Sequence, residues 1–204
     1  MSRVSQDNLV TSASCSDHTT QAIFPVSRQT WDEEYSGGQW SYLRRLSEMP
    51  RYALITGFLW HRQANRRVLD VGCGEGILLQ YLRPYGYEQY VGIDVSKVAV
   101  RGLAPHLNDK THCIVANAES WQPVTTFDAI VFNECLYYFA SPISAFERYR
   151  SCLGENGILI TSLFLSNRGV ADLASQLMRK FRCLQSVKIS NGQGIWITNL
   201  FVND

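Results

Sequence analysis

The sequence has almost no excess of charge of either sign and no long apolar run. Its 19 basic and 18 acidic residues leave a formal net charge of +1. The chain as a whole therefore offers no electrostatic attraction to nucleic acid or to an anionic membrane. No apolar run approaches the roughly 20 residues that a membrane helix needs, and residues 1–20 lack the apolar core of a secretory signal. We expect a cytoplasmic protein with no membrane and no nucleic acid as its partner.

The six cysteines also lack the spacing of a metal or dithiol motif. None of them forms a C-x-x-C pair, so neither a zinc knuckle nor a thioredoxin-type site is predicted. Most of them lie in apolar strand-like or helix-like sequence, where cysteine behaves as a small hydrophobe. This distribution predicts a reducing compartment, free thiols and no bound metal.

Strand-like and helix-like segments alternate through most of the chain. Residues 1–28 are rich in Ser, Thr, Asn and Gln and predict a mobile tail. Residues 29–204 predict one domain, in which 29–62 form an N-terminal helical cap. The alternation predicts an α/β three-layer sandwich, with a mostly parallel sheet of seven strands that ends in an antiparallel hairpin. The five strands before the hairpin are predicted at 68–71, 89–93, 112–115, 127–132 and 158–163.

A turn with three glycines follows the first predicted strand, in the stretch VLDVGCGEG. Gly72, Gly74 and Gly76 supply backbone freedom that lets a ligand approach bare backbone. Their spacing is not the dinucleotide fingerprint, because G-x-G-x-x-G needs glycine where Ile77 stands, and it is not a P-loop. The turn lies at the carboxyl end of the strands, where sheets of this class bind ligands.

Three polar positions add to this turn. Asp94 ends the second strand, where an acid can accept two ribose hydroxyls or can simply cap the next helix. Asn117 follows the third strand, and it either lies near a bound base or belongs to an ordinary surface loop. Asp70 lies within an apolar strand and needs a partner, either a cationic ligand group or backbone N–H groups of the turn.

Four segments, taken in order, carry a family resemblance. They read V-L-D-V-G-C-G-E-G, then Y-V-G-I-D-V-S, then F-D-A-I-V-F-N-E-C-L-Y-Y-F, then L-G-E-N-G-I-L-I-T. Together they resemble the ordered motifs of class I S-adenosylmethionine-dependent methyltransferases. That family has a Rossmann-like seven-stranded sheet whose last hairpin reverses one strand. The resemblance implies S-adenosylmethionine as the cofactor.

The resemblance also implies roles for individual residues. Asp94 would hold the ribose hydroxyls, Val95 would lie against adenine, and Asp70 would anchor the glycine turn and the ligand's ammonium group. Many relatives have Gly-Asp near the adenine amino group, where this chain has Ala116-Asn117, whose amide oxygen can still accept a hydrogen bond. The cofactor-binding set implied for the core is Asp70, Gly72, Cys73, Gly74, Gly76, Asp94, Val95, Asn117, Ala118, Glu119 and Asn133.

The cap segment W-D-E-E-Y-S-G-G-Q-W-S-Y-L resembles the segment that precedes the core in small bacterial methyltransferases acting on metabolites and glycans. This implies that Tyr35 reaches the methionyl carboxylate and that Trp31 or Trp40 walls the pocket. Packing of a cap helix on the sheet is the alternative for these aromatic residues, above all for Trp40 and Tyr42. The L-Y-Y-F run is similar to nodulation-factor N-methyltransferases.

The residues after the fourth strand are the candidates for catalysis. Glu134 is the candidate base, or the partner that orients an acceptor hydroxyl or amine. A carboxylate of the cofactor shell and a helix N-terminal acid are its alternatives. Tyr137 and Tyr138 are expected to line the acceptor pocket, unless one of them belongs to the core.

We therefore expect methyl transfer to a hydroxyl or amine of a small-molecule acceptor. A methyltransferase acting on nucleic acid is disfavoured because the Asn/Asp-Pro-Pro-Tyr motif of enzymes that methylate base amino groups is replaced by N-E-C-L at 133–136. A methyltransferase acting on a protein stays open. So does a non-catalytic protein that binds S-adenosylmethionine or its product. A nicotinamide-dependent oxidoreductase is disfavoured by Ile77 and by the terminal hairpin.

Overall fold

The computed structural model describes residues 27–203, and that part of the chain forms seven strands and six α-helices. The strands are β1 (Arg67–Val71), β2 (Gln89–Asp94), β3 (Thr111–Val115), β4 (Phe127–Asn133), β5 (Leu153–Phe164), β6 (Cys183–Asn191) and β7 (Gly194–Val202). The α-helices are α1 (Arg28–Ser36), α2 (Met49–His61), α3 (Ile77–Leu82), α4 (Lys97–Gly102), α5 (Pro142–Arg150) and α6 (Arg168–Lys180). Short 3₁₀ turns lie at Gln39–Arg44, Arg83–Tyr85, Ala104–His106 and Leu136–Tyr138.

The strands form one sheet in the order β3-β2-β1-β4-β5-β7-β6. The pairs from β3 to β5 are parallel, whereas β7 runs antiparallel to both β5 and β6. The expected fold class is confirmed, including the reversed strand of the last hairpin. Strand order changes direction between β1 and β4, so a crevice opens there beyond the carboxyl ends of the strands.

Helices cover both faces of the sheet, which gives three layers. On one face, Phe146 of α5 and Leu177 of α6 belong to a core cluster with residues of β4 and β5. On the other face, Ile55 of α2 and Leu79 of α3 belong to a second cluster. All four side chains are buried, and full burial of such a side chain stabilises the fold by about 1.5–3 kcal/mol. The central strands read as continuous apolar runs because both of their faces are covered.

Several element boundaries differ from those predicted. Helix α2 of the cap predicted at 29–62 begins at Met49, with Pro50 in its first turn, where the missing proline N–H costs nothing. Strand β5 begins at Leu153, before the start of the strand predicted at 158–163. Its register against β4 shifts between Phe127 and Ala129, which accommodates the extra residues as an irregularity.

The N-terminal part of the predicted helical cap contains helix α1, whose bounds were not predicted. The Ser27 side chain caps α1 by accepting a hydrogen bond from the backbone N–H of Thr30. Residues 1–26 of the expected tail lie outside the described residues. Within residues 27–203, no helix has the length and apolar character needed to cross a membrane.

Candidate active site

The glycine turn lies at the carboxyl end of β1, in the crevice between β1 and β4. Gly72, Gly74 and Gly76 have φ angles of +71°, +52° and +67°, a backbone conformation that side chains with a Cβ adopt at a cost. The N–H of Gly72 donates to the carbonyl of Ile93 at 2.8 Å, which ties the turn to β2. A Cβ at Gly72 would lie 2.7 Å from the Cβ of Cys135. The turn is therefore held closely against β2 and against the Cys135 side chain.

Cys73 directs its side chain away from that backbone surface. A Cβ added to Gly92 would lie 2.8 Å from the Cys73 sulfur, so the thiol fills the space that this glycine leaves. A hydrogen bond with the Cys113 thiol, followed by burial, raises the pKa of Cys73. The Cys73 side chain is therefore part of the packing between the glycine turn and β2.

Asp94 joins the glycine turn to the start of α4. Its Oδ2 accepts from the N–H of Gly74 at 2.9 Å, and its Oδ1 accepts from the N–H of Ser96 at 2.8 Å. Burial raises the pKa of Asp94, while the two backbone donors oppose that shift. The residue is 8% exposed. Both readings of Asp94, the helix cap and the ligand-facing acid, are compatible with this position.

Asp70 lies beneath the turn with Tyr90 as its partner. The Tyr90 hydroxyl donates to Asp70 Oδ2 at 2.6 Å. Burial raises the pKa of Asp70 to about 7, and the hydrogen bond from Tyr90 opposes that shift. The partner that this carboxyl needed is thus the Tyr90 hydroxyl.

The loop after β3 is held by its own hydrogen bonds. The amide oxygen of Asn117 accepts from the N–H of Glu119 at 2.9 Å, which forms an Asx-type turn. Glu119 Oε1 in turn accepts from the N–H of Ala140. The Ala118 carbonyl accepts from Arg148 at 2.7 Å. This loop is built as a fixed wall of the crevice, with Val95, at the end of β2, half-buried beside Asp94.

Helix α1 docks on the start of α4 through Asp32, which is outside the predicted site residues. Asp32 Oδ1 accepts from the Ser96 hydroxyl at 2.7 Å and from the N–H of Val98 at 3.2 Å. The hydroxyl of Ser96 is the main cause that lowers the pKa of Asp32. Tyr35, one turn further along α1, places its hydroxyl 2.6 Å from where a Cβ on Gly74 would lie. The cap therefore touches the turn directly.

Four aromatic residues form what we call the aromatic wall: Trp31, Trp40, Tyr42 and Tyr138. The ring centroids of Trp31 and Trp40 are 5.5 Å apart, and Trp31 meets Tyr138 edge-on at 5.0 Å. Tyr42 lies 6.0 Å from Trp40. All four residues are half-buried, so the wall joins the cap to the turn after β4 and keeps part of its surface accessible.

Glu134 is fixed at the end of β4 by three donors. Its Oε1 accepts from the Ser162 hydroxyl at 2.6 Å, and its Oε2 accepts from the Tyr137 hydroxyl at 3.1 Å and from the N–H of Phe164 at 2.8 Å. Its φ angle is +60°, an uncommon backbone conformation for a residue with a side chain. Burial raises the pKa of Glu134, whereas Arg51 and the hydrogen bonds oppose that shift.

Arg51 of α2 completes this polar group and was missed by the sequence analysis. It is 2% exposed and pairs with Glu48, also buried. Its Nε donates to the Asn133 side chain at 3.3 Å, and its Nη2 donates to the Tyr52 hydroxyl at 3.1 Å. A buried charge requires such partners. Arg51 thereby connects the cap to the residues that follow β4.

Residues 40–190, more than half of the chain, match the family model described as a methyltransferase domain. This range contains the glycine turn, Asp94, Asn117 and the whole polar group around Glu134. The part of the chain with the matched motifs is therefore the part that builds the crevice.

Two relatives carry the name tRNA U34 carboxymethyltransferase. The protein from Aeromonas hydrophila subsp. hydrophila is 29% identical over 142 residues, which cover 66% of this chain and 43% of the relative. The protein from Shewanella putrefaciens is 35% identical over 103 residues, which cover 47% of this chain and 30% of the relative. The chain thus spans less than half of the length of these relatives.

A solved structure resembles the fold over most of its length. The N-methyltransferase NodS from Bradyrhizobium japonicum, in complex with S-adenosyl-L-homocysteine, has a TM-score of 0.75 and 17% sequence identity. The match covers 86% of this chain and 97% of NodS. At this identity the likeness concerns the fold alone.

The relatives correct one expectation. The prediction of a small-molecule acceptor with no nucleic-acid partner was wrong, because both relatives are named for an action on tRNA. Net charge was a poor guide, since it averages over the surface and does not describe local patches. The missing Asn/Asp-Pro-Pro-Tyr motif concerns only enzymes that methylate base amino groups.

Proposed function

The chain belongs to the methyltransferase-domain family, and we propose that it transfers the methyl group of S-adenosylmethionine to a hydroxyl or amine nucleophile. The resemblance to class I methyltransferases is confirmed by the matched family and by the sheet order. The observation that carries the proposal is the position of Asp94, which bridges the glycine turn and the start of α4. A cytoplasmic location is part of the proposal, and the five cysteines among residues 27–203 are free thiols.

The residues of the crevice fit a nucleoside with an amino-acid tail. Both oxygens of Asp94 keep lone pairs after binding the two backbone N–H groups, and these can accept the ribose hydroxyls. The positive φ angles of Gly72 and Gly74 set a tight turn whose own residues carry no side chain there. Asp70, below the turn, supplies negative charge toward the ammonium group. Tyr35 of the cap lies where the amino-acid tail of the cofactor would end. It would bind the methionyl carboxylate.

The adenine end of the crevice is assigned to the residues after β2 and β3. Val95 gives an apolar contact for the ring, and Ala118 leaves room beside it. The Asn117 oxygen already accepts one backbone hydrogen bond and has a second lone pair for the adenine amino group. Glu119 holds the loop in place through Ala140. The remaining cofactor contacts are proposed for the main chain of Cys73 and Gly76 and for Trp31 and Asn133.

When bound, the cofactor supplies a methyl group attached to a sulfonium sulfur. The sulfur is the leaving group and becomes a neutral sulfide. The protein must hold the nucleophile in line with the methyl carbon and exclude water, which can lower the barrier by roughly 7–11 kcal/mol. It must also accept the proton of the nucleophile. We assign alignment to the cap and to Tyr138, which contacts Trp31.

We assign proton removal to Glu134 through Tyr137. The Tyr137 hydroxyl donates its proton toward Glu134, so its oxygen can accept the hydrogen bond of the incoming nucleophile. The nucleophile gives its proton to Tyr137 while Tyr137 gives its own to Glu134. A raised pKa makes Glu134 a stronger base than an exposed carboxylate.

Nucleic acid is a second candidate for the acceptor, favoured by the tRNA named in both relatives. Those relatives are more than twice as long as the matched segment, so their activity belongs to larger proteins. Turnover assays must distinguish nucleic acid from other acceptors, because the crevice can accept a hydroxyl or amine nucleophile from any of them.

Turnover with a Glu134→Gln variant tests the proposal. Release of S-adenosylhomocysteine is measured by mass spectrometry with mixed amines, mixed alcohols and total tRNA as acceptors. We expect Glu134→Gln to lower turnover by about 10²–10⁴-fold, with S-adenosylhomocysteine affinity unchanged. Glu88→Gln, at an exposed surface ion pair with Arg66, is the control and keeps its activity. Equal turnover of Glu134→Gln and the wild type would show that Glu134 is not the base.

A further inference from the structure

Two thiols that the proposed reaction does not use, Cys73 and Cys113, lie close to Gly92 of β2. Cys73 belongs to the glycine turn, and Cys113 lies in the middle of β3. The Cys73 sulfur is 2.8 Å from the point where a Cβ on Gly92 would lie, and the Cβ of Cys73 is 3.0 Å from the same point. The Cys73 side chain therefore reaches over β2 through space that any side chain at position 92 would fill.

The register of the sheet brings Cys113 to the same place. Cys113 is the partner of Gly92 in the parallel pairing of β2 and β3, and neighbouring strands are about 4.8 Å apart. The Tyr90 ring lies 3.2 Å from the Cβ point of Gly92, and Cys113 packs against the core cluster that contains Tyr90. Cys73 and Cys113 are therefore on one face of the sheet, and Gly92 places no Cβ between them.

The two thiols differ in exposure and in acidity. Cys73 is 7% exposed, whereas Cys113 is half-buried and keeps part of its surface accessible. A hydrogen bond from the Cys73 thiol is the main cause that lowers the pKa of Cys113, and burial opposes that shift. The more accessible sulfur is thus the better thiolate, with a second thiol beside it. Cysteines that respond to oxidants have this arrangement.

We propose that Cys73 and Cys113 form a reversible disulfide, a redox modification site beneath the glycine turn that lowers cofactor affinity when it is oxidised. Only the effect on affinity rests on the proposed function. The sulfurs of a disulfide are about 2.05 Å apart, which is closer than two free thiols can lie. Cys113 is held within five consecutive pairs of β2 and β3, so closure of the bond draws Cys73 toward β3. The N–H of Gly74, which donates to Asp94, moves with the turn.

The reaction balances with hydrogen peroxide as the oxidant. The Cys113 thiolate attacks one peroxide oxygen, and the O–O bond breaks. The sulfur becomes a sulfenic acid, and the leaving hydroxide takes up the proton that Cys113 had released and becomes water. The Cys73 sulfur then attacks the sulfenic sulfur, and its proton leaves with the displaced hydroxide as a second water. Two thiols lose two electrons, peroxide gains them, and a small dithiol reverses the bond by exchange.

Mapping of the cross-link tests the disulfide without any ligand. The reduced full-length chain is treated with hydrogen peroxide, the remaining thiols are alkylated, and tryptic peptides are analysed by mass spectrometry without reduction. We expect Cys73 to be linked to Cys113, with fragment ions that distinguish Cys113 from Cys135 in the same tryptic peptide, 111–148. Two unmodified thiols, oxidation of Cys113 with Cys73 still free, or linkage of Cys73 to another cysteine would overturn the inference.

Calorimetric titration with S-adenosylhomocysteine measures the consequence for binding. We expect the oxidised wild type to bind about tenfold more weakly, the scale of one lost hydrogen bond, and a small dithiol to restore its affinity. Cys113→Ser and Cys113→Ala should each keep the affinity of the reduced wild type and lose the response to peroxide, so the result does not depend on the folding of one variant. Cys152→Ser, at another half-buried free cysteine, is the control and responds as the wild type does.

The outcomes separate the disulfide from the proposed function. Unchanged affinity of the cross-linked wild type, or a full response to peroxide in the Cys113 variants, would overturn the inferred effect on the cofactor. Absence of S-adenosylhomocysteine binding in the reduced wild type would instead overturn the proposed function, while the mapped cross-link would still decide whether the two thiols pair.

Discussion

Replacing Asp94 with asparagine separates the role of its charge and lone pairs from that of its size. The two backbone N–H groups of Gly74 and Ser96 donate to different oxygens of this carboxylate. An asparagine has one carbonyl oxygen and one NH₂ group, so one of the two N–H groups must face a donor. In this buried position, leaving one donor unsatisfied costs about 1–3 kcal/mol.

The expected result is a weaker complex with S-adenosylhomocysteine. The NH₂ group also cannot accept a ribose hydroxyl, and a hydrogen bond missing only in the complex, at about 1–3 kcal/mol, raises the dissociation constant by about 5- to 150-fold. Calorimetric titration measures this change, and urea unfolding of the free protein shows how much of the cost already applies without ligand.

Asp32→Asn is a closely matched control. Asp32 accepts from Ser96 and Val98 through the same oxygen, Oδ1, so an asparagine oxygen can keep both bonds. We expect its affinity for S-adenosylhomocysteine to stay within about threefold of the wild type, the scale of a small perturbation. Unchanged affinity in Asp94→Asn, or an equal loss in both variants, would refute the argument from oxygen geometry.

Three further predictions concern backbone strain, pH and the core. Gly74→Ala should weaken S-adenosylhomocysteine binding about tenfold in calorimetry, because its Cβ would collide with a tyrosine hydroxyl 2.6 Å away. Gly38→Ala has a similar positive φ and open space, so it should cost only about 1–2 kcal/mol of stability; equal binding losses would contradict this. Burial raises the pKa of Asp70 to about 7, so its contribution to stability is lost as pH rises through that value. The free energy of unfolding of Asp70→Asn should therefore rise relative to the wild type between pH 5 and 8, and a constant difference would count against it. Phe146→Ala should lower the free energy of urea unfolding by about 3–5 kcal/mol, whereas Val124→Ala, at a residue 99% exposed, should leave it almost unchanged.

The features that could be predicted are those set by residues that lie close together in the sequence. The glycine turn stands out because an apolar strand, three spaced glycines and a helix follow one another within 15 residues. Asp94 was singled out for the same reason, since its position at the end of a strand is a local pattern. Alternation of strands and helices then restricts the sheet to few topologies.

The missed features depend on contacts between distant residues. Helix α1 has no buried residues of its own, so it lacks the apolar periodicity that predicts a helix. It is held by Asp32, which bonds a serine 64 positions away. Arg51 likewise meets Asn133 across 82 positions. Such pairs follow from the tertiary fold and leave no local signal.

The amino-acid composition could not identify the methyl acceptor. A net charge of +1 led to the exclusion of nucleic acid, which the named activity of the relatives contradicts. A total charge fails as a guide because charges of opposite sign on different parts of the surface cancel in the sum.

The most direct test of the account is a calorimetric titration of the purified protein with S-adenosylhomocysteine, beside NADH as a nucleotide of another class. The account predicts one binding site per chain for S-adenosylhomocysteine and no heat of binding for NADH. A well-folded sample that binds NADH, or that gives no heat with S-adenosylhomocysteine, would contradict the assignment of the glycine turn and Asp94 to a methyl-donor site.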